Sequence, residues 1–258
     1  MVTTFLQGGL GNQMFQISAA WALSKELNDN CVFDFEKSNV ETQGNNANKY
    51  KDNIFKNINN DNINYNTLFR YLEPTFSYKE LPKLKNLLLV GVFQSEKYFI
   101  DHKDEIKNLF YFDENKNNKI KNFIKEKTNS RSVTSIHVRR GDYLKKPNFH
   151  PTQSIEYYNK GIELTNTEKY ILVSDDIKWC KENFIGDKFI FSDFTDEIDD
   201  LLLIMNCDNH IIANSSFSWW GSYLCKNESK IVVSPKLWFG LNGPQDTQDI
   251  YLDNWIKI

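Results

Sequence analysis

VTSIHVRRGDY, residues Val133 to Tyr143, starts as a run of strand-forming residues and ends in two arginines, a glycine and an aspartate. Alternate residues of a strand share a face, so Ser135, His137 and Arg139 point one way and Ile136 and Val138 the other. In open α/β sheets ligands sit beyond the carboxyl ends of the strands, which is where Arg139, Arg140 and Asp142 fall. Arginine offers planar, paired donors that suit phosphate. The stretch therefore predicts a buried strand delivering fixed cations to an anionic ligand, with Asp142 orienting an arginine or acting on substrate. The plainer reading is a salt-bridged strand end. An adhesive Arg-Gly-Asp loop fits poorly, because it needs a flexible, exposed setting.

The surrounding chain is consistent with that reading. Its 258 residues carry a formal charge of −3, which argues against nonspecific nucleic-acid binding, so cations that matter must be local. Strands are predicted at Val2–Leu6, Cys31–Phe35, Leu87–Phe93, Val133–Val138, Lys169–Val173, Lys188–Phe191, His210–Ala213 and Lys230–Val233. Helices are predicted through 14–27, 94–110 and 196–207, the last with Ile198, Leu201, Leu202 and Met205 on one face. This alternation implies an α/β architecture with parallel sheets in both halves. Residues 39–66 hold 11 asparagines, which favour turns, interleaved with Ile54, Phe55, Ile58 and Ile63 as packing residues. The polar run 114–135 suggests a domain boundary, giving lobes 1–130 and 131–258 with the last helix packing back on the first lobe. No apolar run approaches the ~18 residues of a membrane span, and the N-terminus has no secretory pattern. Four widely spaced cysteines fit buried thiols in a reducing cytoplasm.

A second anion site lies in ANSSFSWWGSYL, from Ala213. Asn214, Ser215 and Ser216 are helix N-cap types, and the free N–H groups of a helix start bind anions. For Trp219 and Trp220, core packing is the preferred reading. At the N-terminus, QGGLGNQ followed by Asp34 imitates a dinucleotide fingerprint, but Met14 fills the third small position. There is no DxD, and His102, His137, His150 and His210 lack metal-ligand spacing. A diphosphate neutralised by arginine is favoured over one bridged by metal.

Together GGLGNQMFQ, VGVFQSEKYF, HVRRGDY, FHPTQSIEYY, LVSDD and NSSFSWWGSYL resemble bacterial α-1,2-fucosyltransferases of glycosyltransferase family 11. The blocks run in family order from Gly8 to about Leu224. The resemblance implies a GT-B-like fold: two Rossmann-type lobes with parallel sheets and an interlobe cleft. It implies metal-independent, inverting transfer of L-fucose from GDP-β-L-fucose to the 2-hydroxyl of a terminal galactose, with no cofactor beyond that donor substrate. The family pattern HxRRxD maps onto His137, Arg139, Arg140 and Asp142, with Arg139 holding the β-phosphate and Arg140 bracing the loop. Asn214, Ser215, Ser216 and Phe217 would flank the diphosphate, and Asp175 would contact guanine. Asn12, Gln13 and Gln94 of the first lobe would meet the acceptor, with Asn12 also placed among the catalytic residues. Asp142 and His150 are the candidates for the base. The expected setting is cytoplasmic, peripheral to the inner membrane, with transient contact to a lipid-linked acceptor. The rival readings are a dinucleotide-dependent oxidoreductase using GGLG and Asp34, a noncatalytic sugar-binding module, and transfer of another sugar or to another linkage.

Overall fold

A computed structural model describes residues 1–38, 44–129 and 131–258. Residues 39–43 of the asparagine-rich stretch, and residue 130 at the expected boundary, lie outside the described residues. The chain forms two compact units, Met1–Phe112 with Asp246–Leu252, and Asp113–Gln245 with Asp253–Ile258.

The first unit is built on β1 (Val2–Thr4), β2 (Phe69–Leu72) and β3 (Leu87–Val90). They form a parallel sheet in the order β1-β3-β2, with Val2 opposite Leu87 and Phe69 opposite the same residue. Helix α1 (Leu10–Glu26) is buried around most of its circumference, its polar residues Gln13, Gln16 and Ser18 included. The strand expected at Cys31–Phe35 reduces to isolated bridges, Val2 with Cys31 and Phe33 with Asn60. Asparagines take its partners: Phe33 N–H bonds to the Asn59 carbonyl, and Phe35 N–H to Asn60 Oδ1. The helix expected over 94–110 breaks into two 3-10 turns and then α2 (Lys103–Leu109), because Phe99 leaves the helical region at φ −144°. Ile54, Phe55, Ile58 and Ile63 are buried.

The second unit carries a six-stranded parallel sheet, β6-β5-β4-β7-β8-β9. Its strands are β4 (Val133–Val138), β5 (Lys169–Ser174), β6 (Phe189–Phe191), β7 (Asn209–Ile211), β8 (Val232–Ser234) and β9 (Ile256–Lys257). Strand β4 lies inside the sheet with all six residues buried. Its helices are α3 (Glu114–Thr128), α4 (Ile155–Thr165), α5 (Ile177–Asn183), α6 (Glu197–Met205) and α7 (Ser216–Leu224). Helix α7 lies against α6 at Gly221, where a Cβ would press on Ile204.

The units change over at Phe112/Asp113 rather than at 130/131. The lysine- and asparagine-rich run is helix α3 of the second unit, capped by the Asp113 carboxylate. It buries Ile120 and Ile124, sets Phe123 edge-on to Phe194 at 5.1 Å, and pairs Lys116 with Asp196 and Asp199. Near the C-terminus stands a 3-10 turn, Gln248–Ile250, instead of the expected helix. Asp246 and Asp249 accept the N–H groups of Ser77 and Tyr78, each at 2.9 Å, within the first unit. Among the described residues no helix is long and apolar enough to cross a membrane.

Candidate active site

Parallel register decides which loops meet in the second unit. Val138 of β4 lies opposite Ser174 of β5, and Ile136 opposite Ile211 of β7. All three strands therefore discharge their loops at one edge, bringing Arg139 and Arg140 beside Asp175 and Asp176. The approach to α7 lies on the other side.

Arg139 is held by two carboxylates. Nη2 donates to Asp142 Oδ1 at 2.6 Å, and Nη1 lies 3.2 Å from Asp175 Oδ2. The Arg140 N–H donates to Asp175 Oδ1 at 2.9 Å. Asp175 therefore braces the arginine loop, and the carboxylate read as a guanine contact is already engaged there. Gly141 admits it: a Cβ at that position would stand 2.7 Å from Asp175 Oδ2. The Arg140 side chain turns away, with Nε 3.1 Å from Asp176 Oδ2 and its guanidinium 4.3 Å above the Trp179 ring. Asp176 also caps α5 through the Trp179 N–H.

Tyr143 links the arginine loop to the start of α7, donating to the Asn214 carbonyl at 2.9 Å beneath the Arg139 guanidinium. The Asn214 side chain is spent on structure. Its Nδ2 donates to the Trp238 carbonyl, and its Oδ1 accepts from Gln153 Nε2. Ser215 stands at the N-cap position of α7 without a side-chain capping bond. Ser216 and Phe217 are partly exposed. Trp219 and Trp220 are fully buried, as the packing reading holds.

Both histidines of the site stay neutral near pH 7. Burial, reinforced by Arg139, lowers His137 to about 3. Its ring lies against Phe217, 5.6 Å between centroids, with Nδ1 buried and without a hydrogen-bond partner among the described residues. His150 stacks on Tyr143 at 4.5 Å and 13°. Burial lowers its pKa below the ordinary histidine value, against the opposing pull of Asp142.

In the first unit, Asn12 and Gln94 meet, Gln94 Nε2 donating to Asn12 Oδ1 at 2.8 Å. Gln13 does not join them. It is fully buried, and its amide N–H groups tie the Gly8 and Asn45 carbonyls together, so it anchors the glycine turn instead of facing a ligand. Asp34 is buried against Lys37 and the Ile63 N–H, and Met14 is fully buried; neither is placed as a dinucleotide fingerprint needs. Among the described residues, no group of three or more His, Cys, Asp or Glu side chains is placed to hold a metal. Asp176, Gln153 and Tyr143 lie inside the quoted stretches without an assigned role, and Trp179 lies outside them.

The family model for glycosyl transferase family 11 matches residues 1–258. An α-1,2-colitosyltransferase of Escherichia coli is 31% identical over 100% of this chain and 99% of its own length. A galactoside 2-α-L-fucosyltransferase of Caenorhabditis elegans is 26% identical over 90% of this chain and 71% of its own. Among solved structures, the NodZ α-1,6-fucosyltransferase co-crystallised with GDP matches with a TM-score of 0.54 at 13% identity, covering 86% of this chain and 91% of that one. At that identity the likeness shows the fold alone, an α/β fold with parallel sheets.

Proposed function

The chain belongs to glycosyltransferase family 11, and from that premise we propose that it moves L-fucose from GDP-β-L-fucose to the 2-hydroxyl of a terminal galactose, forming an α-1,2 linkage with inversion and without metal. On this reading the units act as GT-B-like, Rossmann-type lobes, the first taking the acceptor through Asn12 and Gln94 and the second the donor. The observation that carries the proposal is Arg139, fixed by Asp142 and Asp175 at the sheet edge where α7 begins.

The acceptor hydroxyl attacks C1 from the face opposite GDP. The C1–O bond breaks through an oxocarbenium-like state, its electron pair passes to the β-phosphate oxygen, and the hydroxyl proton passes to a base. Charge grows on the leaving diphosphate as the bond lengthens. A guanidinium already aligned, with the N–H groups opening α7, stabilises that charge more in the transition state than before it. Asp142 is bound to Arg139, so the proton goes to His150, whose neutral ring can accept it. Ser215, Ser216 and Phe217 flank the diphosphate, while Arg140 and Asp175 hold the loop.

The test is incubation with GDP-fucose and lactose or a related β-galactoside, with product linkage read by mass spectrometry and NMR. An α-1,2-fucosylated product is expected. GDP-fucose bound but unconsumed across several galactosides counts against the proposal. The 31% identical relative supports a second reading, transfer of colitose, the 3-deoxy counterpart of L-fucose. Parallel assays with the two GDP-sugars separate them.

A further inference from the structure

Five described non-glycine residues have positive φ; four are asparagines and the fifth is Phe93 of the first unit, at φ +49°. Asparagine tolerates this conformation, whereas a bulky aromatic does so at a cost. Such strain persists only where surrounding contacts impose it. Here they do. Phe93 is fully buried, its ring edge-on to Tyr98 at 5.3 Å. Glu73, directly after β2, accepts the Val92 N–H at 2.6 Å and the Phe93 N–H at 3.0 Å, and the Tyr98 hydroxyl donates to it at 3.5 Å. Gln16 of α1 holds the same turn from the other side, donating to the Gly91 carbonyl at 3.0 Å. A Cβ at Gly91 would run into the Glu73 side chain, so glycine is required for the carboxylate to approach.

The residue after the strained one is Gln94, 6% exposed. Its Nε2 is spent on Asn12, while its Oε1 is buried with no hydrogen-bond partner among the described residues. A buried amide oxygen left unpaired costs about 1–3 kcal/mol, and it calls for an N–H or O–H donor. Asn12, in the first turn of α1, and Gln94 follow the carboxyl ends of the parallel strands β1 and β3, where α/β sheets take their ligands, and a saccharide ligand supplies O–H donors.

We propose that Glu73 is a positioning residue that clamps the turn Gly91–Gln94, so that Gln94 Oε1 accepts a hydroxyl of the acceptor saccharide beside Asn12. The inference rests on the reading of the chain as a glycosyltransferase and names the group that reads its acceptor. Burial, aided by Asp246 and opposed by the bonds from Val92, Phe93 and Tyr98, lifts Glu73 to about 6. The carboxylate is thus the predominant form near neutral pH, with lone pairs for both backbone donors. Glutamine at 73 would turn an N–H against one of them.

The test uses the full chain with separate measurements of GDP affinity, acceptor KM and kcat. Gln94→Leu removes the unpaired oxygen. It should raise acceptor KM about tenfold, the worth of roughly one hydrogen bond, with GDP affinity unchanged and Tm held or raised. Glu73→Gln should raise acceptor KM by a similar factor, again without moving GDP affinity. The double variant should match Gln94→Leu alone, because Glu73 acts through Gln94. Unchanged acceptor KM in Gln94→Leu overturns the proposal even if Glu73→Gln folds poorly. Multiplying effects in the double variant overturn the role of Glu73. Failure of the parent chain to bind GDP would instead defeat the underlying function.

Discussion

Arg139→Ala separates chemistry from stability. The Arg139 side chain is 35% exposed, and its partners Asp142 and Asp175 are 31% and 27% exposed. Ion pairs this close to solvent contribute up to about 1 kcal/mol each, so losing both costs at most about 2 kcal/mol. For a chain of this size that lowers Tm by about 4–8 °C. On the proposed function the same guanidinium faces a leaving diphosphate, and removing a preorganised donor of this kind costs about 10²–10³ in turnover, or roughly 2.7–4 kcal/mol. The chemical loss therefore exceeds the structural one. The assay is kcat/KM for GDP-fucose with a saturating galactoside, beside a thermal melt and a circular dichroism spectrum. Arg139→Lys should fall between, since one ammonium cannot span Asp142 and Asp175 as the two Nη groups do. Full melting stability with kcat/KM within about threefold of the parent would falsify the role given to Arg139.

His150→Phe keeps the stack on Tyr143 and removes the base; turnover should fall about 10²–10⁴-fold with an unchanged melt. In the parent, neutral His150 is the active form and burial lowers its pKa, so the acid limb of kcat should lie below 6.5, as a pH–rate profile would show. Gly141→Ala displaces Asp175 from Arg139, so donor KM should rise while Tm stays within a few degrees. Asp200 is lifted to about 6 by burial, reinforced by Asp199, Asp196 and Glu197. Its native form holds a proton more tightly than the unfolded chain, so its contribution to stability falls as pH rises from about 4 to 6 and stays low above that. Asp200→Asn should flatten that part of a Tm–pH curve and gain most above pH 6.

The legible parts of the chain are those where local pattern and burial agree. Strand β4 matches its sequence reading residue for residue, because VTSIHV is β-forming throughout and fully buried. Helix α3 was hidden by composition: Ile120 and Ile124, four residues apart, are its only buried aliphatic side chains in a run of lysine and asparagine. Strand β2 lacked a signal because Phe69 and Leu72 are exposed at a sheet edge. The pairing of Asp175 with Arg139 follows from the register of β4 on β5, which no local spacing reveals. Asn12 and Gln13 look alike in sequence, yet adjacent positions on a helix point about 100° apart. One meets Gln94 and the other is sealed inside.

The charge balance around Arg139 clarifies how such a site can favour the departing group over the resting donor. Arg139 and Arg140 are set against Asp142, Asp175 and Asp176, so the cluster is formally negative. A site that trapped diphosphate by net positive charge would bind donor and product alike, and uniform binding does not raise kcat. Here Asp142 takes an N–H from Nη2 of Arg139 and Asp175 pairs with Nη1, fixing the plane of the guanidinium and leaving most of its five donors. Those donors need no rearrangement when charge appears on the β-phosphate. The acids weaken attraction for any anion, while the fixed geometry rewards the anion that forms in place. On the proposed function Asp142 serves the reaction by holding Arg139 still, and the pairing that removes it from the list of bases is what gives it a role.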